Sequence, residues 1–324
     1  MLLKKMKLIV LVIDCNDGEY FDVDFCCSVD IFVPKTYKQA VTCPDADYWK
    51  AAMDDEICSL YKNKTYEIVT LPEDKHVVGG RWVYAVKAQP DGKQRYKARY
   101  VAQGFSQIPG RDYIETFAPT AKMTTVRMLM QIAAEFDFVL HQLDVRTAYL
   151  NAPLDKEIYM AQPEGYEQFC DGEVKMVCKL RKSLYGLKQS GRLWNLVLHE
   201  FLVEKEFIQS PYEPCTYINK HENDIAIIII WVDDMIVAAN SEVYAEKVKS
   251  ILKQKFCMKD LGHISCFLGI RFKQEGGVIT MDQSEYLKTK LAKMRMDLSR
   301  PRSTPCELAG YDVNTESNVN ISLY

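Results

Sequence analysis

The run IIIIWVDDMIVAA, residues 227–239, sets two adjacent aspartates inside one of the most apolar stretches of the chain. An ionised carboxylate withdrawn from water is costly unless a cation or hydrogen-bond donors meet it. The flanking residues demand burial, so Asp233 and Asp234 need an explanation. One reading is a hairpin of two buried strands with the aspartates solvated at its turn. The other is a hairpin whose tip holds a metal ion.

Bulk properties narrow the setting. A chain of 324 residues holds one large or two modest domains, and 48% hydrophobic with 26% charged residues is ordinary for a soluble globular protein. A formal net charge of −3 gives no global attraction for a polyanion, so any surface for one must be local. The eleven cysteines are odd in number and form no CxxC pair, which reads as free thiols in a reducing compartment. The start, MLLKKMKLIVLVIDC, imitates a signal peptide, but its apolar run Leu8–Ile13 is too short and no small-residue cleavage site follows. A short strand is expected there. No stretch approaches a membrane span in length, so a soluble intracellular protein is expected.

Periodicity predicts helices over Asp45–Leu60, Thr124–Phe136 and Arg192–Phe207, the last amphipathic through Leu193, Leu196, Val197 and Phe201. Ser241 and Ser284 are expected to cap helices running to Phe256 and to about Asp297. Two strand-like runs, VVGGRWVYAVKAQ and RYKARYVAQGF, flank the turn Pro90-Asp91-Gly92 and predict a hairpin. Phe138–Val145 reads as a strand, and Asp224–Ala239 as the apolar hairpin. Strands and helices mix without a regular βαβ period, so the fold class is α+β.

A third carboxylate joins the question. Asp144 ends a strand in HQLDVRTAYLNA, and a sheet could bring that strand end beside the Asp233-Asp234 tip. Three converging carboxylates repel one another unless a divalent cation with oxygen coordination relieves them. Mg²⁺ or Mn²⁺ suits such a site, and two such ions about 4 Å apart support phosphoryl transfer. Cations gather nearby in sequence. Arg81, Lys87, Lys93, Arg95, Lys97 and Arg99 crowd the first hairpin, and Lys175, Lys179, Arg181, Lys182, Lys188 and Arg192 form a second group. Strand alternation sets Arg95, Lys97 and Arg99 on one face, where a triphosphate or a nucleic-acid backbone could be met; the bland alternative is a solvated basic face.

Residues 34–307 resemble the reverse transcriptase domain of copia-type LTR retrotransposons. The phrases that carry the likeness run in order: WKAAMDDEICSLYKNKTYEIVTLP, RWVYAVK, DGKQRYKARYVAQGFSQIPGRDYIETFAPTAK, QLDVRTAYLNAPLDKEIYMAQPEGY, VCKLRKSLYGLKQSGRLW, WVDDM, KFCMKDLG and FLGI. The resemblance implies a right-hand polymerase: fingers, an antiparallel palm sheet backed by helices, and the start of a thumb. It implies an RNA-directed DNA polymerase that adds dNTPs to a primer on an RNA or DNA template. Asp144, Asp233 and Asp234 match the catalytic, metal-binding carboxylates. Lys97, Arg99, Tyr149, Gly186 and Gln189 match positions around the incoming nucleotide, with Tyr149 at the aromatic that crowds the sugar 2′ position. Trp231 and the hairpin Phe267, Leu268, Gly269 match the primer and template side, and Lys259 is a weaker match beside the leaving phosphate. Other polyprotein products are implied partners, and the location implied is cytoplasmic, in a virus-like particle, or nuclear.

The chain departs from the pattern at several points. Trp231 stands for the tyrosine before Val-Asp-Asp, Ala152 for a glycine, Gly191 for a proline and Gln103 for a lysine, and Glu213-Pro214 replaces an aspartate and its neighbour. No metal-ligand position is lost. Residues 1–33 read as a poorly patterned leader and 308–324 as a polar, disordered tail. No ribonuclease H module is expected downstream. The rival reading is therefore a truncated, inactive retrotransposon remnant that retains at most nucleic-acid binding.

Overall fold

A computed structural model of the chain describes residues 32–88, 94–169 and 176–300. The expected leader strand, the Pro90-Asp91-Gly92 turn, Lys93, Lys175 and the polar tail lie outside these residues.

In chain order the elements are α1 (Tyr37–Thr42), α2 (Ala46–Lys62), β1 (Tyr66–Thr70), β2 (Val77–Val78), β3 (Gly80–Ala88), β4 (Gln94–Ala102), α3 (Met123–Phe136) and β5 (Val139–Val145). There follow β6 (Tyr159–Met160), β7 (Met176–Leu180), α4 (Ser190–Glu204), β8 (Ile208–Gln209), β9 (Thr216–His221), β10 (Asp224–Trp231) and β11 (Asp234–Ala239). The chain continues through α5 (Glu242–Lys255), β12 (Met258–His263), β13 (Cys266–Phe267), β14 (Ile270–Glu275), β15 (Val278–Asp282) and α6 (Ser284–Lys293). The class is α+β, as the irregular alternation predicts.

A six-stranded sheet in the order β12-β5-β11-β10-β9-β8 stands where the resemblance expects the palm, and every pairing in it is antiparallel. Its two faces explain the isoleucine run. Ile228, Ile230, Met235 and Val237 pack on Trp194, Leu198 and Phe201 of α4 and on Ala245, Val248 and Leu252 of α5. Ile229, Ile236 and Ala238 pack on Val126, Leu129 and Met130 of α3 and on Phe267, Ile270 and Phe272 of β13 and β14. A strand covered on both sides reads as a continuous apolar run rather than an alternating one.

A second core lies under the β3–β4 hairpin, where the resemblance expects the fingers. Here β3 and β4 pair along their whole length, from Gly80↔Ala102 to Ala88↔Gln94. Trp49, Met53 and Leu60 of α2 pack with Trp82, Tyr84, Ala98 and Tyr100 of that hairpin and with Leu184 and Leu187. Burial along β4 alternates, with Ala98, Tyr100 and Ala102 inward and Arg95, Lys97 and Arg99 on the outer face.

The expected helix ends need small corrections. Ser241 does cap α5, its side chain accepting from the Tyr244 N–H. Ser284 is the first residue of α6 rather than its cap; Gln283 precedes it and makes no side-chain cap bond, and the helix stops at Lys293, short of Asp297.

One buried cation ties α5 to the edge strand. Lys249, only 2% exposed, is paired with Glu246 and, at 3.0 Å, with Asp260 of β12. Lys253 reaches the same carboxylate at 2.7 Å and the Gly262 N–H donates to it at 2.9 Å. Burial would raise the Asp260 carboxyl, but Lys253, Gly262 and Lys249 outweigh it and hold it well below the usual carboxylate range. A depressed carboxyl contributes stability above its unfolded value of about 3.9, and that contribution fades as the pH falls toward its folded value. Asp260→Asn is expected to lower the unfolding free energy at pH 7 by about 2 kcal/mol, since it strips one partner from a buried ammonium. Urea titrations should show that gap closing below about pH 4; a pH-independent gap would contradict the pairing.

Candidate active site

Two residues, Val232 and Asp233, join β10 to β11. Val232 sits at φ 58°, in the left-handed region that β-branched residues rarely enter. A positive φ at the first turn position suits the twist of a tight hairpin, where glycine is the usual choice. Contacts from outside hold valine there. The Trp194 indole N–H donates to the Val232 carbonyl at 2.7 Å, and the Val145 N–H donates to the Asp233 carbonyl at 2.8 Å. Trp194 is itself fixed edge-on against Phe256.

The sheet then brings the carboxylates together. Asp144 of β5 lies directly opposite Asp234 of β11, and Asp234 lies opposite Trp231 of β10. Directly opposed residues share a face, with Cβ atoms about 5 Å apart. Asp233 stands at the adjoining turn. All three are half-buried, and Asp144 and Asp234 end a face whose deeper part is the apolar contact with α3. Lys259 of β12 is opposite Asp144 on its other side and is exposed.

Above the carboxylates lies an aromatic and cationic cluster. The Tyr149 and Tyr185 rings meet with centroids 4.5 Å apart, and the Arg99 guanidinium lies 4.4 Å from the Tyr185 centroid. Burial pushes the Tyr185 hydroxyl up to about 12; Arg99 opposes that, and Asp233, Tyr149 and Asp144 add to it. The Tyr149 hydroxyl is raised by burial and by Asp233 and lowered by Arg99. Both tyrosines therefore feel the turn aspartate and the fingers arginine at once. Burial raises the Glu56 carboxyl on α2, while the Tyr100 backbone and the Arg99 and Lys97 charges pull it down.

Tyr185 was not among the residues singled out from sequence. The signal available was its place between buried Leu184 and a glycine in the phrase SLYGLKQ. Gly186 has φ +94°, and a Cβ there would lie 2.0 Å from the Ala102 carbonyl oxygen. A Cβ on Gly104 would meet the Gly186 carbonyl oxygen at 2.1 Å. The Ala102 N–H donates to the Tyr185 carbonyl at 2.8 Å, so the loop lies backbone to backbone on the end of β4.

Gln189 serves that loop. Its fully buried side chain accepts from Gln107 at 3.0 Å and donates to the Asp112 carbonyl at 2.8 Å. In this arrangement the amide is enclosed and braces the loop. Phe267 is buried in the α3-facing core, and Leu268 and Gly269, at φ +52° and +76°, form the tip of the β13–β14 hairpin. Trp231 and Leu268 pack at the margin of the same core.

The second basic group is partly neutralised. Lys179 is paired with Glu157, which Lys75 also reaches at 3.0 Å, and Arg181 is paired with Glu67. Lys188 is exposed and Arg192 half-buried beside the loop. Two departures from the family pattern prove harmless. Ala152 has φ −98°, a backbone any residue adopts. Glu213 is buried and accepts from the Lys122 N–H at 3.2 Å and from Thr125 Oγ1 at 3.0 Å, capping α3 in place of a side-chain cap on the helix itself.

Gly186→Ala is expected to cost about 3 kcal/mol, because it adds both left-handed strain and a backbone clash. Thermal unfolding checks the loss. A variant as stable as the wild type would mean the loop does not rest on β4.

Comparison with known proteins gives the family. The family model described as "Reverse transcriptase (RNA-dependent DNA polymerase)" matches residues 63–308. The chain is 39% identical over 282 residues to the retrovirus-related Pol polyprotein from transposon TNT 1-94 of Nicotiana tabacum, covering 86% of this chain and 21% of that protein. It is 36% identical over 276 residues to the polyprotein from transposon RE1 of Arabidopsis thaliana, covering 84% of this chain and 18% of that one. The chain thus spans about a fifth of the length of these relatives. A solved foamy viral protease-reverse transcriptase in complex with double-stranded DNA overlays 78% of this chain and 37% of that one, at 16% identity and a TM-score of 0.40, a likeness too slight to bear on function.

Proposed function

Because the chain belongs to the reverse transcriptase (RNA-dependent DNA polymerase) family of retrotransposon polyproteins, we propose that it extends a primer on an RNA or DNA template with dNTPs. The observation that carries this reading is the cross-strand pair Asp144↔Asp234 beside the clamped Asp233 turn. Among the described residues no helix is long and apolar enough to cross a membrane. A cytoplasmic or nuclear location goes with the reading.

The donor set fits hard divalent cations. Three carboxylates without a thiol or imidazole among them suit Mg²⁺ or Mn²⁺, which favour oxygen ligands and retain positions for water and phosphate. Asp144, Asp233 and Asp234 would hold the ions. When bound, such ions lower the pKa of a primer 3′-hydroxyl and neutralise charge on the transferred phosphate.

The chain's own groups do the positioning. Arg99, fixed over the Tyr185 ring, and Lys97 on the same strand face meet a triphosphate entering from the fingers. The Tyr149 ring, held by Tyr185, blocks the space beside the sugar and so disfavours a 2′-hydroxyl. Gln189 sets the height of the Tyr185–Gly186 loop above the carboxylates. The Trp231 side chain and the Leu268-Gly269 tip border the side from which a primer end would approach.

Primer extension on an RNA template with Mg²⁺ tests the reading. Asp233→Asn is expected to lose about a thousandfold in rate, the several kcal/mol that a coordinated metal supplies. Extension unchanged by the substitution would overturn it. Folded wild type that extends nothing would leave the remnant reading in its place. In an active enzyme, Tyr149→Val should raise ribonucleotide incorporation relative to deoxynucleotide by about tenfold or more, as the loss of a bulky side chain from a packed pocket would. An unchanged ratio would remove Tyr149 from sugar selection.

A further inference from the structure

A second cluster of ligating side chains lies on the opposite face of the palm from the carboxylates. Residues alternate along β5, so His141 points toward α5 while Asp144 points toward the α3 side. His141 on β5, Glu242 at the start of α5 and His263 at the end of β12 bring one ligand atom each to within 4.8 Å of one another. His141 is 2% exposed, whereas Glu242 and His263 open onto solvent. We propose that these three side chains bind a Zn²⁺ ion.

Several features of the backbone converge on this arrangement. The β5–β12 register shifts between Asp260 and His263, where Gly262 adopts φ +72°. That bulge sets His263 directly opposite His141 on the shared face, and the two rings lie with centroids 4.6 Å apart. Bulges at sheet edges re-aim side chains in this way. The Ser241 cap fixes the first turn of α5 and with it Glu242. His141 Nε2 is buried and makes no hydrogen bond, although Glu242 Oε1 is 2.9 Å away, so that oxygen is close but poorly aligned for a ring N–H. A buried imidazole nitrogen without a hydrogen bond, beside a carboxylate and a second imidazole, has the donors of a metal site.

Two imidazole nitrogens and one carboxylate oxygen select a borderline cation such as Zn²⁺ over Mg²⁺. Three protein ligands leave a fourth position to water. Lys249 sets a condition on the site. Its Nζ lies 3.1 Å from His141 Nδ1, and a metal on Nε2 leaves the ring proton on Nδ1, facing that ammonium. Lys249 must therefore turn fully to Glu246 and Asp260, which already hold it. The ion would pin the edge strand β12, which carries Lys259 opposite Asp144, to β5 and α5.

The test uses Zn²⁺ itself, in competition with a chromophoric chelator, on EDTA-stripped full-length protein. Wild type should bind one equivalent that His263→Ala and Glu242→Gln each weaken by about tenfold or more. Both substitutions fall on exposed side chains, so the folds should survive, as circular dichroism will check. Zn²⁺ should raise the melting temperature of wild type more than that of His263→Ala at the same zinc concentration. A Co²⁺ spectrum without thiolate charge-transfer bands would separate this site from exposed Cys58, Cys257 and Cys266. Equal zinc binding by wild type and His263→Ala, or thiolate bands that persist in that variant, would overturn the proposal. So would wild type that binds no zinc more tightly than about 100 μM, where binding of about −5.5 kcal/mol is too weak for a resident ion. None of these readouts depends on polymerisation.

Discussion

The whole candidate site hangs on a turn that valine should not occupy. Val232 holds a left-handed backbone because a buried tryptophan from α4 and a strand amide from β5 fasten the two turn carbonyls. Strain of this kind costs roughly 1–3 kcal/mol and persists only where its surroundings over-determine it. Here the result is a tip in which Asp233 stands beside the Asp144↔Asp234 pair. Trp194 belongs to the same packed layer that buries the isoleucine run from one side. The apolar stretch and the acidic tip are therefore one construction: burial on both faces makes the hairpin rigid enough to hold like charges together.

The fingers contribute through a second rigid contact, backbone against backbone. Gly104 and Gly186 permit the Tyr185 loop to lie on the end of β4, where Arg99 can reach the Tyr185 ring. That contact couples the cationic strand to the carboxylates across two separate hydrophobic cores, with Leu154 touching both. A shift of the loop would move Tyr149, Tyr185 and Arg99 together. The buried Gln107–Gln189–Asp112 chain of hydrogen bonds limits such a shift.

Much of this was legible in the sequence, and the reasons are specific. The palm hairpin was readable because apolar runs flank the aspartate pair, and the fingers hairpin because two strand-like runs flank a Pro-Asp-Gly turn. That Asp144 could come near the acidic tip was an expectation from sequence; its register opposite Asp234 is seen only in the sheet. What was hidden depends on contacts distant in the chain. Nothing local marks Trp194 as the donor to a turn 38 residues away. Gln189 reads as a nucleotide contact until its amide is found buried between Gln107 and Asp112. Glu213, a departure from the family pattern, caps α3 from 91 residues away, which nothing local reveals. The His141 and His263 pair depends on a one-residue bulge that no periodicity reveals.

On the proposed function, the strained hairpin presents its carboxylates to divalent cations. Electron paramagnetic resonance of free Mn²⁺, titrated into the full chain with and without a dNTP, measures this without requiring turnover. The account expects Mn²⁺ uptake that tightens when dNTP is present and is lost in the Asp144→Asn/Asp234→Asn double variant, with the fold retained. Equal uptake by wild type and double variant, with no dependence on dNTP, would contradict it.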